Sequence, residues 1–94
     1  MRVYFTPSAR ESLRDISQYI GRISPDAARR TRVRLIRRVR QLADFPESGR
    51  MVPEYEVQAV RELIEGSYRI WYRIKDARIE VLAVLHGARQ IRDD

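Results

Sequence analysis

The sequence predicts a small α+β fold in the order β-α-α-β-β-β, a helical hairpin packed on a mostly antiparallel sheet. Three observations predict it. Apolar residues recur at helical spacing through the first half of the chain, the period changes to two in the second half, and two Pro-containing start signals divide the helical part into two. The chain of 94 residues has room for one domain, expected over 1–94, with a thin core.

Val3-Tyr4-Phe5 is a short β-type run. Thr6-Pro7 then reads as a helix start, with Thr6 as N-cap and Pro7 at the first helical position. Ala9, Leu13, Ile16, Tyr19/Ile20 and Ile23 follow at helical spacing, with Gly21 weakening the end. Ser24-Pro25-Asp26 repeats the start signal, with an acid in the first turn. The second helix is expected to reach about Asp44, because Pro46 blocks its continuation. Its inward stripe is Ala28, Leu35, Val39 and Leu42, backed by Ile36 and Ala43. So short a link makes the two helices an antiparallel hairpin.

Pro46 to Pro53 is expected to be a loop. The segment around Val60-Arg61-Glu62-Leu63-Ile64 reads as a strand closed by Gly66. Tyr68 to Ile74 is the clearest strand: Tyr68, Ile70, Tyr72 and Ile74 share one face, and Arg69, Trp71 and Arg73 the other. Lys75-Asp76-Ala77-Arg78 is a turn, and Ile79 to Leu85, apolar on both faces apart from Glu80, reads as an inner strand. Along that strand His86 is in register with Leu82 and Val84 but out of phase with Ile79 and Val81.

Composition narrows the function. There are no cysteines and the only histidine is His86, so thiolate chemistry and His-based metal clusters are excluded, and no cofactor or metal is expected. No apolar stretch approaches the roughly 20 residues that span a bilayer, and the N-terminus does not read as a signal peptide. The expected location is the cytoplasm, with no membrane partner. The net charge of +6 favours an anionic partner, nucleic acid or an acidic protein segment. Lys75 is the sole lysine; the other basic side chains are arginines, whose forked guanidinium suits carboxylate and phosphate. A GC-rich genome would produce the same bias.

The second helix carries Arg29, Arg30, Arg32, Arg34, Arg37, Arg38 and Arg40 with no acid between Asp26 and Asp44. Pairs such as Arg30/Arg34 and Arg34/Arg38 repel by a few tenths of a kcal/mol each. The face either docks an acidic chain or is a solvated surface whose stems cover the core. The stripe Arg69, Trp71, Arg73 could stack a base, hold a phosphate or anchor a protein, and Trp71 could equally be core. His86, at the strand end before Gly87 and Arg89, is either a structural hydrogen-bonding residue or a proton carrier. Glu54 is either an exposed loop acid or a general base. Phosphate-cradling glycine loops, paired carboxylates and a nucleophile with its own histidine are missing, so the residues describe a partner-binding basic domain more clearly than an enzyme.

Ala9-x-x-x-Leu13-x-x-Ile16-x-x-Tyr19-Ile20, Pro46-x-x-Gly49-Arg50, Arg61-Glu62-Leu63, Tyr68-Arg69-Ile70-x-Tyr72-Arg73 and Val84-x-His86-Gly87-x-Arg89 occur in this order. With them the chain resembles the RelE/ParE superfamily of bacterial type II toxins over nearly its full length. The resemblance implies a cytoplasmic toxin, neutralised by a cognate antitoxin with an acidic segment in a hetero-oligomer. It implies one of two targets: DNA gyrase, bound and poisoned by ParE-like members, or mRNA on the ribosome, cut without metal by RelE-like members. By position, Arg69 and Arg89 match arginines that the nucleases use, and with His86 they form the expected catalytic set if the chain is a nuclease. That set is thin. Val60 and Glu62 stand where nucleases carry basic residues, the RelE-branch C-terminal tyrosine would fall just past Asp94, and Gly87 and Ala88 replace another branch's His-Tyr ending. Glu54 would correspond to that branch's loop glutamate.

The expectation is therefore a ParE-like binder. Its target would meet Arg61, Arg69, Trp71, Arg73, His86 and Arg89; its antitoxin would meet Arg30, Arg34, Arg37 and Arg38. A ribosome-dependent endonuclease and a general nucleic-acid-binding module are the alternatives.

Overall fold

A computed structural model describes residues 1–52 and 59–87. The elements are β1 (Arg2–Phe5), α1 (Pro7–Gly21), α2 (Pro25–Arg40), a 3-10 turn (Gln41–Ala43), β2 (Arg50–Met51), β3 (Arg61–Glu65), β4 (Tyr68–Lys75) and β5 (Arg78–His86). The strands form one five-stranded sheet in the order β1-β5-β4-β3-β2, antiparallel except for the parallel β1–β5 pair. Both helices lie on one face of it, over a core that includes Ala9, Leu35, Val39, Leu42, Leu63, Ile70, Tyr72, Ile79, Val81 and Val84.

The start signals act as their chemistry requires. The Thr6 hydroxyl accepts from the Ala9 N–H at 3.2 Å and donates to the Val81 carbonyl at 2.8 Å, so the cap of α1 is also pinned to β5. Ser24 caps α2 by accepting from the Ala27 N–H at 3.1 Å. Two details of the helical half differ from expectation. α2 stops at Arg40, and the tighter turn that follows still brings Leu42 fully inside. Ile23 falls in the link between the helices and is 83% exposed, so the apolar stripe of α1 ends before it.

Part of the expected loop is strand. Arg50–Met51 pairs with Arg61–Glu62, and the Val52 N–H donates to the Val60 carbonyl at 2.8 Å. Gly66, with φ +60°, opens the β3–β4 turn. Asp76 and Ala77 take φ +53° and +60° between β4 and β5, the left-handed pair of a type I′ two-residue hairpin.

The inner position of β5 agrees with its apolar sequence, and its phase slip has a physical cause. The register steps from Tyr72↔Val81 to Trp71↔Ala83, leaving Leu82 as a bulge. Ile79 and Val81 on one side of the bulge, and Val84 and His86 on the other, therefore all point to the helix side. The opposite, open face carries Arg2 and Tyr4 of β1, Arg78, Glu80 and Leu85 of β5, Arg69, Trp71, Arg73 and Lys75 of β4, Glu62 and Ile64 of β3, and Arg50 of β2.

Candidate functional site

The open face is organised around two carboxylates. Glu62 lies opposite Trp71 in the β3–β4 register, and its side chain has no exposed surface. Its Oε2 accepts from Arg50 Nε at 3.2 Å and Nη2 at 2.9 Å. Its Oε1 accepts from Arg69 Nε at 2.6 Å, from Arg69 Nη2, and from Trp71 Nε1 at 3.0 Å. The Arg69 guanidinium lies 5.1 Å from the centre of the Trp71 ring, within cation–π range. Burial works to raise the Glu62 pKa; the donors Arg69, Arg50 and Trp71 outweigh it and leave the carboxyl below its ordinary value.

The second cluster lies across β4. Arg73 Nε donates to Glu80 Oε1 at 2.9 Å and Arg78 Nη2 to Oε2 at 2.8 Å, which lowers the Glu80 pKa against the opposing effect of burial. Beside it, the guanidiniums of Arg78 and Arg2 lie 4.8 and 5.4 Å from the centre of the Tyr4 ring.

Of the residues expected to meet a target, this face unites Arg69, Trp71 and Arg73. Trp71 is half-buried on the side away from the helices, so it is not part of the core beneath them. Arg61 and His86 point to the other side of the sheet. Arg61 donates through Nη1 to the Gly49 carbonyl at 2.7 Å and the Glu47 carbonyl at 3.3 Å, bracing the turn before β2. The His86 ring meets Tyr68 edge-on, 5.4 Å between centres, at the mouth of a groove of about 960 Å3 between α1 and the end of the sheet. Ile16, Tyr19 and Ile20 form its helical wall. Arg89 and Glu54 lie outside the described residues.

The α2 arginines are less uniform than their sequence suggests. The reading of a face without compensating charge is corrected at two positions, because Glu65 of β3 reaches across to them. Its Oε2 accepts from Arg34 Nε at 3.0 Å and its Oε1 lies 3.6 Å from Arg38 Nε. Arg30 and Arg37 remain exposed beside Val33, and no acidic partner is paired with them among the described residues.

Sequence reasoning had not assigned a role to Arg50, Glu80, Arg78, Tyr4 or the Tyr72 hydroxyl. That hydroxyl is buried, donates to the Pro46 carbonyl at 2.8 Å and accepts from the Gly49 N–H at 2.8 Å. Burial raises its pKa, so it stays protonated and able to donate. Among the described residues no group of three histidine or acidic side chains could hold a metal ion. The chemistry this arrangement offers is charge-assisted and aromatic contact.

A family model described as the ParE toxin of the type II toxin–antitoxin system parDE matches residues 3–91. The chain belongs to the ParE toxin family. Toxin RelE2 of Caulobacter vibrioides is 35% identical over 89 residues, spanning 94% of this chain and 97% of that protein. Among solved structures, the chromosomal ParDE system of P. aeruginosa superposes with a TM-score of 0.77 at 26% identity, covering 92% of this chain and 95% of the matched one. The RelBE2 toxin–antitoxin complex of Mycobacterium tuberculosis gives 0.65 at 25% identity, covering 90% and 95%. The two helices on a five-stranded mixed sheet are the fold of this superfamily, and the chain is a type II toxin–antitoxin toxin.

Proposed function

We propose that this ParE-family toxin acts by binding and poisoning DNA gyrase in the cytoplasm, as one domain over 1–94, rather than by cutting RNA. The observation that carries the reading is the state of Arg69. Metal-free RNA cleavage needs a cation at the phosphate and proton carriers beside it. The Nε/Nη2 edge of Arg69, the edge that would grip a phosphate, is closed on Glu62, and the side chain is 11% exposed. His86, the only histidine, faces the other side of the sheet.

Purified toxin is expected to inhibit gyrase supercoiling at micromolar excess and to leave ribosome-bound mRNA intact. Unaffected supercoiling would overturn this reading. The alternative, a ribosome-dependent endonuclease, draws support from the RelE2 name of the Caulobacter relative. Codon-phased mRNA cuts that vanish in Arg69→Ala would establish it.

The cognate antitoxin is proposed to cover the helical hairpin. Tyr19 is 67% exposed and Val33 46% exposed there, with Arg30 and Arg37 beside Val33 available for an acidic segment. Charge reversal at Arg30 and Arg37 should weaken the complex by tenfold or more, read by titration calorimetry. The same change at Arg34 and Arg38 should also loosen the tie of α2 to Glu65.

A further inference from the structure

We propose that the open sheet face recognises an acidic protein segment carrying an apolar side chain rather than a nucleic acid, and that Glu62 and Glu80 set this preference. The inference rests on the reading that this face meets the target, and it adds the chemistry of the surface the target must present.

Arginine grips phosphate best through two parallel N–H groups. Arg50 and Arg69 both spend their Nε/Nη2 pair on Glu62, while Arg73 spends Nε and Arg78 spends Nη2 on Glu80. A phosphate approaching this face finds the paired N–H edges of Arg50 and Arg69 already closed, with only single outward contacts left at Arg50 and Arg78.

Single-stranded nucleic acid is held by bases laid on aromatic rings. The Trp71 ring already lies against the Arg69 guanidinium, and Tyr4 against those of Arg2 and Arg78. A base would have to displace those cations.

Charge density also separates the two kinds of partner. Polyanion affinity grows with the number of phosphates neutralised. The six cations of this face, Arg2, Arg50, Arg69, Arg73, Lys75 and Arg78, are offset by Glu62 and Glu80, and they spread over four of the five strands. What remains is a moderate positive field, enough to orient a carboxylate-bearing surface. The side chains of Arg50 and Arg78 are 70% and 44% exposed and can each take one further carboxylate.

Finally, the face presents an apolar anchor. Ile64 lies opposite Arg69 and is 49% exposed. An exposed aliphatic side chain in an Arg- and Trp-bearing patch suits a protein partner and gives nothing to a phosphate backbone.

Trp71 is the only tryptophan, so its fluorescence reports directly on this face. The full chain would be titrated with a glutamate-rich peptide bearing a central leucine, and separately with oligouridylate of equal charge, at about 150 mM salt, where weak polyanion contacts are screened. The peptide should change Trp71 emission saturably and bind at least tenfold more tightly than oligouridylate. Glu62→Gln and Glu80→Gln should each raise oligouridylate affinity and steepen its salt dependence by about one phosphate contact. Circular dichroism checks that the variants fold; if Glu62→Gln does not, the milder Glu80→Gln carries the test. Equal binding of both probes by the unaltered toxin, binding of neither, or an unchanged preference in the folded variants would overturn the inference. None of these measurements uses gyrase, so their failure is distinct from failure to inhibit supercoiling.

Discussion

Replacing Tyr72 with Phe removes one oxygen atom and leaves the ring that fills the core. The ring stays buried, so no cavity forms and the cost comes from hydrogen bonding alone. Two polar groups lose their partner: the buried Gly49 N–H and the partly buried Pro46 carbonyl. An orphaned buried group costs about 1–3 kcal/mol, with the upper end reserved for full exclusion from water. Gly49 is buried and Pro46 is not fully so, which gives about 2–3 kcal/mol for Tyr72→Phe. A domain of this size has roughly 5–14 kcal/mol in total, so the loss is a large fraction of it. It corresponds to a fall in melting temperature of roughly 10–20 °C. The assay is urea unfolding followed by Trp71 fluorescence, where the midpoint should move with the slope unchanged. Tyr19→Phe, at a side chain 67% exposed, is the control and should stay within about 0.5 kcal/mol of the unaltered protein. If Tyr72→Phe behaves like that control, the hydroxyl does not pin the 46–49 turn.

Three further outcomes follow from the same geometry. Gly49→Ala would place a Cβ 2.7 Å from the Tyr72 ring and 2.8 Å from the Glu62 carbonyl oxygen, so it should destabilise by about 2 kcal/mol or more in the same urea assay. Ala77→Gly should stabilise by about 0.5–1 kcal/mol, because Ala77 holds φ +60° at a cost that glycine escapes; differential scanning calorimetry reads the rise. Glu62 and Glu80 both have pKa values depressed by folding, so their stabilisation is complete above the unfolded carboxylate value of 4.5 and is lost as pH falls through the lower folded values. Urea midpoints should hold from neutral pH to about 5 and then decline, less steeply in Glu62→Gln; an identical decline in that variant would remove Glu62 from the explanation.

Much of the open face was legible from turn lengths. With a two-residue Gly66–Ser67 turn, β3 and β4 pair so that Glu62 must lie opposite Trp71 and Ile64 opposite Arg69. The Asp76–Ala77 turn places Arg73 opposite Glu80 in the same way. Alternation alone identifies the stripe; alternation with register identifies its counter-charges. The helical hairpin was legible because Thr6-Pro7 and Ser24-Pro25 are strong local signals. Glu65 meeting Arg34 and Arg38 was not, because that contact depends on how α2 sits on the sheet and no local rule sets it. The Tyr72 hydroxyl was hidden for a related reason: its partners are main-chain atoms of the loop at Pro46 and Gly49, which carry no mark in the sequence. His86 was misleading in company rather than in position. The family resemblance grouped it with Arg69 and Arg89, whereas the register turns it toward Tyr68 and α1.

The extra residue at Leu82 makes β5 two short strands joined by a phase shift. Val81 and Val84 serve one core although an odd number of steps separates them, and the carbonyl of Val81 is held by the start of α1. Such a joint lets the two halves of a strand drift independently in sequence: a substitution pattern tolerated before Leu82 is inverted after it. Deleting that one residue would restore plain alternation, with Val81 and Val84 still inward and Ala83 outward between them, and would remove only the local bend. Relatives that lack a residue at this point should therefore keep the same side chains on each face of the sheet and differ in the twist between its groove end and its Glu80 end.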